Sequence, residues 1–423
     1  MTICEEIADW AVGLRADDLP ASVRERAGLQ ARCIEAARVA GAAPAAPFAA
    51  AAPDGPIGEI YRSAVASIAH DWDDYLFMGH TGHSAVPAAA AFATDPEREL
   101  LARVAANEVA GRLGAALFLG PHNGQFWASI HCASAAVASA VGLGLDAERT
   151  AQALAIALYQ PPYGMWPGFM GPQSKLLTAA EPAAMGARAA LLAAEGVTGA
   201  LDVIEHPRGV LTGLSFAPRP AMFGGLGRVW LTDTLAYKRL PGCAYLQSVA
   251  EAALAADIEA DAVASAEIEA GWLACEMEEL GRGPDLTPIR VNFSATLTVA
   301  VALIAGRLTP AELGPGWLSE YEAEVRALAA GSSCDTTLRR LPRRCAAVST
   351  PAPRPISVSA TCCASAAGSA TPTCATRTPR RRCWARSAPT PLCAVTSAAR
   401  CASAGVAATA TPASKALTQP RCG

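Results

Sequence analysis

The sequence has few histidines and no long apolar run that is free of charge. Six histidines occur in 423 residues, and no stretch of about eighteen apolar residues lacks a charged residue, which excludes an ordinary transmembrane helix. The N-terminus has neither a basic start nor an unbroken apolar run, so no secretory signal is expected. The five cysteines of residues 1–330 are widely separated, which favours reduced thiols. We therefore expect a cytoplasmic protein with no membrane partner.

The C-terminal segment lacks the residues that build a core. Residues 331–423 contain no Glu, Phe, Tyr, His, Asn or Met, and 13 Lys+Arg stand against one acid, Asp335. Residues 1–330 instead have 21 Lys+Arg against 37 Asp+Glu. Nine of the 14 cysteines also lie after residue 330. Without large apolar side chains at any period, this segment is not expected to form a conventional core.

Three interpretations of residues 331–423 are open. A disordered basic tail would bind nucleic acid or an acidic surface. A cysteine-rich metal module is disfavoured, because Cys334, Cys345, Cys374 and Cys383 have neither ligand spacing nor nearby histidines. We favour translation of GC-rich DNA in a shifted frame, which yields this mixture of Ala, Arg, Pro, Thr and Cys. On that interpretation no nucleic-acid partner is expected.

The earlier part of the chain is mainly helical in pattern. Apolar residues recur at helical spacing over 1–14, 99–119, 147–158 and 180–194. Residues 133–145 are small and apolar all round, which predicts a helix that is buried on every side. Residues 267–278 alternate apolar and polar residues, which predicts a strand, and helices are predicted over 293–306 and 308–328. The sequence therefore predicts a mainly α fold, with a large all-helical domain over 1–262, the start of a smaller α+β lid domain over 263–330, and the aberrant tail over 331–423.

One short segment concentrates titratable groups. Three of the six histidines and three aspartates lie within residues 70–83, in surroundings that are otherwise rich in alanine: His70, Asp71, Asp73, Asp74, His80 and His83. Groups this close in sequence perturb each other's pKa values, which is typical of acid/base or ligand sites. We expect any chemistry to take place at this cluster.

Several short motifs stand in a fixed order along residues 3–310: Glu5-Glu6-Ile7-Ala8-Asp9-Trp10, His70-Asp71-Trp72-Asp73-Asp74, His80-Thr81-Gly82-His83-Ser84-Ala85-Val86-Pro87-Ala88, Asn107-Glu108-Val109-Ala110-Gly111-Arg112-Leu113-Gly114, Gly142-Leu143-Gly144-Leu145-Asp146, Ser174-Lys175 with Gly196-Val197-Thr198-Gly199, and Lys238-Arg239-Leu240-Pro241-Gly242-Cys243. Together they resemble the MmgE/PrpD family, which includes 2-methylcitrate dehydratase, cis-aconitate decarboxylase and iminodisuccinate epimerase. The resemblance implies a helical domain with a smaller α+β lid, a cleft between them, a homodimer, and chemistry without a cofactor or metal at a carbon next to a carboxylate.

The resemblance also implies catalytic residues. Proton removal next to a carboxylate needs a base, for which histidine is suited, and His80 matches a family active-site histidine. Asp71 matches a family aspartate and is expected to orient His80, whereas Asp73, Asp74 and His83 are expected to have supporting roles. Lys175 and Lys238 match family lysines and are expected to bind the carboxylates of the substrate. Cys243 stands where decarboxylase-like members have histidine, and is interpreted as an acid/base thiol or as packing.

The chain also departs from the family pattern. Tyr75 stands where dehydratase-like members often have threonine, and a family tyrosine is replaced near Leu297. A family histidine has no counterpart in register, so His131 or His122 replaces it, or both are core histidines. The aromatic loop 159–170, with Tyr163 and Trp166, lines an apolar pocket or packs on a neighbouring subunit. Tyr75, His131, Tyr163 and Trp166 are therefore our candidate substrate-binding residues.

These residues favour a hydro-lyase that abstracts a proton next to a carboxylate or carbonyl and then expels water. An isomerase, epimerase or decarboxylase on the same fold, acting on a larger apolar substrate, is the alternative. A catalytically inactive scaffold remains open because of the lost residues. A metal enzyme similar to class I terpene synthases is disfavoured, since no second metal motif accompanies Asp73-Asp74 and the histidine spacing fits no zinc site or facial triad.

Overall fold

The computed structural model of the chain describes residues 1–76, 79–117, 127–169, 171–256, 258, 260–281, 283–336, 356–359 and 406–407. The described part is mainly helical, as the sequence predicts. Its helices are α1 Ile3–Gly13, α2 Ala21–Ala40, α3 Ala42–Ala49, α4 Pro56–Ser67, α5 Gly82–Phe92, α6 Pro96–Leu117, α7 Trp127–Leu143, α8 Ala147–Tyr159, α9 Trp166–Phe169, α10 Leu177–Ala194, α11 Val210–Leu214, α12 Gln247–Ala255, α13 Trp272–Gly281, α14 Pro288–Phe293, α15 Ala295–Ala305, α16 Pro315–Glu320 and α17 Glu322–Ala330.

Helix α7 is central to the helical layer. It packs against α5, α6, α8 and α10, and residues 128–142 are buried all round. Its side chains are mostly alanine and serine, which lets neighbouring helices approach closely. The predicted all-round burial of this helix is therefore confirmed. Buried apolar side chains from most of the described helices join in one core cluster, whereas Val23 and Ala27 of α2 belong to a second, smaller cluster.

The contact between α7 and α10 depends on Gly186. A Cβ atom at this position would lie 2.1 Å from the backbone oxygen of Cys132 on α7. We expect Gly186→Ala to lower the free energy of unfolding by about 1–3 kcal/mol, because neither backbone can yield without repacking. Urea unfolding measures this change. Gly13→Ala is the control, since no atom lies within 4 Å of the Cβ it would add; equal losses in both variants would contradict the close-contact argument.

The strands are short. They are β1 Asp74–Tyr75, β2 Ala236–Tyr237, β3 Ala266–Ala270, β4 Ser333–Thr336, β5 Ile356–Ser359 and β6 Val406–Ala407. Strand β3 pairs in parallel with both β4 and β5, and β5 pairs with β6 in antiparallel. The strand predicted over 267–278 is correct only for residues 267–270. From Trp272 the chain is helical, because Ala274, Met277 and Glu278 are buried at helical spacing.

The other predicted elements differ mainly at their ends. The helix predicted over 308–328 is divided into α16 and α17 at Tyr321. The helix predicted over 293–306 begins at Ala295, because Ser294 caps it, and ends before Gly306, which has a left-handed backbone. None of the described helices has the length and apolarity needed to cross a membrane. Strands β4, β5 and β6 lie in the C-terminal segment. Its residues 337–355, 360–405 and 408–423 lie outside the described ranges, and so does our interpretation of them.

The antiparallel pair β1–β2 joins two distant parts of the chain. Asp74 pairs with Tyr237, and Tyr75 with Ala236. Beside this pair, the Lys238 N–H donates to the Asp73 backbone oxygen at 3.1 Å, and Trp72 Nε1 donates to the Lys238 backbone oxygen at 3.0 Å. These bonds fix residues 236–243 against residues 70–75. The lysine motif and the aspartate cluster therefore meet through backbone pairing.

Candidate active site

Asp71 lies between two lysines. Its Oδ1 is 2.5 Å from Lys175 Nζ and its Oδ2 is 3.1 Å from Lys238 Nζ. Burial would raise the pKa of the Asp71 carboxyl, but the two ammonium groups outweigh burial and lower it to about 2. Asp71 also has φ = 53°, a left-handed conformation that is uncommon for an aspartate. The backbone is held there by Lys238 Nζ, which donates to the Asp71 backbone oxygen at 2.7 Å.

Asp73 receives three side-chain contacts. Its Oδ2 lies 2.5 Å from His80 Nδ1 and 3.0 Å from His83 Nε2, and its Oδ1 lies 2.5 Å from Lys238 Nζ. Burial would raise the pKa of Asp73, but His80, Lys238 and His83 together hold it well below its usual value. Asp73 is therefore a buried carboxylate that binds His80 directly. The expectation that Asp71 orients His80 is wrong, because Asp73 makes the contact with His80 and Asp71 contacts the two lysines.

The contacts of His80 assign its tautomer. Nδ1 lies 2.5 Å from Asp73 Oδ2 and 2.8 Å from the Asp74 backbone oxygen. Both of these oxygens only accept hydrogen bonds, so Nδ1 must hold a proton. In the neutral ring the basic lone pair is then on Nε2. The His80 side chain is 19% exposed, whereas Asp73 and His83 are each 1% exposed, so the cluster opens outward at His80.

Asp74 belongs to a separate buried network. Gln30 Nε2 donates to its Oδ2 at 2.8 Å, and the Gly82 N–H donates to its Oδ1 at 3.2 Å. Burial and the neighbouring Asp73 raise the pKa of this carboxyl. Gln30 also bonds Thr81 and Asn107. This network fixes the N-terminal end of α5, which supports the expected structural role of Asp74.

The two lysines differ in the number of ammonium N–H groups that are not used in hydrogen bonds to described residues. Lys238 Nζ makes three hydrogen bonds, to the Asp71 backbone oxygen, Asp71 Oδ2 and Asp73 Oδ1, which uses every N–H of an ammonium group. Lys175 Nζ makes one, to Asp71 Oδ1, and lies 4.8 Å from the centre of the Phe293 ring. The geometry therefore disfavours the expected substrate contact of Lys238 and leaves that role to Lys175.

The aromatic loop approaches Lys175 from one side. The Trp166 and Phe169 rings stack with centres 5.8 Å apart, and Phe169 meets Phe293 at 5.5 Å. Tyr163 is 39% exposed and lies farther along the loop. Ser129 Oγ donates to the Pro162 backbone oxygen at 2.7 Å and so ties the loop to α7. Trp166 is thus next to the charged cluster through Phe169.

The remaining candidates are arranged around the cluster. The Tyr75 ring centre is 6.2 Å from that of His80, so Tyr75 lies next to the candidate base. Burial, followed by the nearby Asp71, raises the pKa of the Cys243 thiol to about 12, which keeps it protonated near neutral pH and disfavours a role as base. His131 is buried, with Nδ1 3.0 Å from Ser84 Oγ, and burial lowers its pKa well below the usual value. His122 lies outside the described residues.

Asp73 can be tested as a positioning residue. We expect Asp73→Asn to lower the rate of proton exchange at the substrate carbon by about 100-fold or more, because the amide can present its NH2 group to Nδ1 and favour the wrong tautomer. The rate of deuterium incorporation from D2O measures this. Asp233→Asn on the described surface is the control. A loss of less than about threefold in Asp73→Asn would show that His80 does not depend on it.

The described residues thus define a mainly helical protein with a buried centre of two aspartates, two lysines and a partly exposed histidine. Among them no group of three or more His, Cys, Asp or Glu residues is arranged to hold a metal ion. Residues 61–221 match the model of the MmgE/PrpD N-terminal domain. This match supports membership of the MmgE/PrpD family, and the resemblance predicted from the motifs of the chain is confirmed. No curated protein matches the chain.

The matched range contains the aspartate cluster, His80 and Lys175. Lys238 and Cys243 lie after it and are placed at the site by β2. The family includes lyases and related enzymes, so membership indicates an enzyme of dehydratase or lyase type.

Proposed function

We propose that this protein is a hydro-lyase that works without a cofactor, removes a proton next to a carboxylate or carbonyl, and then expels water. The observation that supports this most is the contact of His80 Nδ1 with Asp73 Oδ2 and the Asp74 backbone oxygen. This contact directs the basic lone pair to Nε2 on the partly exposed side of the ring. A histidine fixed in this way is suited to take a proton from carbon near neutral pH.

In the proposed reaction, His80 Nε2 takes the proton from the carbon next to the carbonyl group. The electron pair of the broken C–H bond moves toward that group and forms an enolate-like anion. Asp71, Asp73, Lys175 and Lys238 have formal charges that sum to zero, so the imidazolium of His80 balances the new negative charge. The anion then expels a hydroxyl from the adjacent carbon, and His80 returns its proton to form water.

Lys175 is the proposed anchor for a substrate carboxylate. It keeps two N–H donors beyond its bond to Asp71 among the described residues, and its charge lies in a site where water is excluded. Lys238 is proposed to hold Asp71 and Asp73 in place. Tyr75 and Trp166 are proposed to line the substrate side, whereas the geometry gives less support to Tyr163, His131 and Cys243.

Incorporation of deuterium from D2O into a panel of small carboxylates tests this proposal. An alkene product with loss of water supports the hydro-lyase. Exchange without elimination identifies an isomerase or epimerase, and release of CO2 identifies a decarboxylase. A soluble, cooperatively melting protein that exchanges none of the panel would favour the inactive scaffold. The homodimer and the cytoplasmic location remain predictions from the family resemblance and the composition.

A further inference from the structure

Asn292 on α14 is a buried amide whose side chain has no described partner. The residue is 2% exposed, and neither Oδ1 nor Nδ2 makes a hydrogen bond within the described part of the chain. Buried amide groups are nearly always paired, because an unpaired one loses its bonds to water and gains nothing in return. An amide left in this state is suited to bind a polar group that enters from outside.

Asn292 lies beside the proposed active site. Its backbone oxygen accepts a hydrogen bond from the Cys243 N–H at 2.9 Å, and the next residue, Phe293, faces Lys175 Nζ with its ring. Gly242 has φ = 116°, and a Cβ atom placed there would meet its nearest neighbours, all atoms of Asn292, only at 3.6–3.7 Å. A side-chain atom at position 242 would therefore reach van der Waals contact with Asn292 without a clash, so the Asn292 amide faces the turn before Cys243.

A second unpaired group is attached to the same turn. The backbone oxygen of His70 accepts from the Gly242 N–H at 3.1 Å. His70 Nε2 lies 3.3 Å from the Ala40 backbone oxygen, so Nε2 holds the proton and Nδ1 is an acceptor. That Nδ1 is buried and has no described partner. Unpaired polar side chains thus come from both segments whose backbones bond to residues 242–243.

We propose that Asn292 is a specificity-determining residue that binds a hydroxyl group of the substrate. A hydroxyl both donates and accepts, so it can pair with Oδ1 and Nδ2 together. A carboxylate would pair with Nδ2 alone and would place its charge near the partially negative Oδ1. The inference rests on the proposed function for the carboxylate contact at Lys175, and it adds the group that distinguishes one carboxylic acid from another.

Matched pairs of acids that differ by one hydroxyl test this role: glycolate and acetate, malate and succinate, 3-hydroxybutyrate and butyrate. Isothermal titration calorimetry on the full chain gives each dissociation constant. In the unaltered protein we expect at least one hydroxy acid to bind about tenfold or more tightly than the matched acid that lacks the hydroxyl. The reason is that the acid without the hydroxyl leaves the buried Asn292 amide unpaired. In Asn292→Leu, which has similar volume and no polar atoms, that ratio should fall to about one.

Thermal unfolding without ligand separates recognition from a structural role. Removing an unpaired buried amide should raise the midpoint of Asn292→Leu, whereas Ser294→Ala should lower its midpoint, since Ser294 caps α15 and bonds Glu278. A lowered midpoint for Asn292→Leu, or no hydroxyl preference in any pair, overturns the inference. Failure of the proposed reaction would appear instead as absent deuterium exchange and would leave the binding ratios unchanged.

Discussion

Replacing His80 with alanine is expected to reduce deuterium exchange at the acidic carbon of the substrate to the rate found in buffer, a loss of about 10⁴-fold or more. The contacts of His80 Nδ1 with Asp73 and the Asp74 backbone oxygen place the basic lone pair on Nε2, and the variant loses this nitrogen from a side chain that is 19% exposed. Three described neighbours cannot replace it, since Asp71 and Asp73 are held as ion-paired carboxylates of low basicity and the Cys243 thiol stays protonated. Deuterium incorporation followed by mass spectrometry measures the loss.

His206→Ala is the matched control for this variant. His206 has a side chain that is 47% exposed and pairs only loosely with Asp202, at 4.0 Å, so its removal should leave exchange unchanged. Thermal unfolding of His80→Ala shows whether the variant is folded. A folded His80→Ala protein that exchanges within about tenfold of the unaltered protein would remove His80 from the role of base.

Lys238→Met is expected to cause the largest loss of stability, about 3–5 kcal/mol in the free energy of unfolding. Lys238 has a fully buried side chain and contacts Asp71 and Asp73. Burial alone would lower the pKa of Lys238, but these two carboxylates raise it, so the ammonium form is firmly held. Methionine fills the same volume without the charge, and two buried carboxylates are then left with fewer cations. Equilibrium urea unfolding at neutral pH measures the difference.

Arg239→Met tests the neighbouring position. Arg239 is 81% exposed and pairs with Glu251 at 3.3 Å on the surface, where an ion pair is worth about 0–1 kcal/mol. A loss in Lys238→Met that is no greater than the loss in Arg239→Met would mean that the buried ion pairs contribute no more than a surface pair. The proposed role of Lys238 in holding the two aspartates would then fail.

Much of the helical layer follows from local sequence. Helix α7 has small residues on every side, and its burial is predicted from that composition alone. The start of α15 is less evident in the pattern, because the capping contact of Ser294 depends on where the preceding α14 ends. The strand predicted over 267–278 fails after Ala270, since short alternating patterns fit both a strand and the first turn of a helix.

The density of titratable residues identifies the cluster at residues 70–83, but it does not assign a role to each member. Sequence order gives no means to choose between Asp71 and Asp73, which are two positions apart and have the same side chain. One signal was present, which is the short spacing of the two aspartates along the chain. That spacing allows Asp71 and Asp73 to reach one common lysine, as they do at Lys238.

The sequence by itself determined the family, the mainly helical fold and the segment where chemistry is expected, because these depend on local periodicity and on motifs that can be read in order. Only the tertiary structure decided which residue binds His80, namely Asp73. Among the described residues it also leaves two donors on Lys175 and none on Lys238, and it leaves the Asn292 amide unpaired. Each of these depends on distances between atoms that are far apart in the chain. Backbone pairing of β1 with β2 and the packing around α7 set those distances, and no local pattern encodes them.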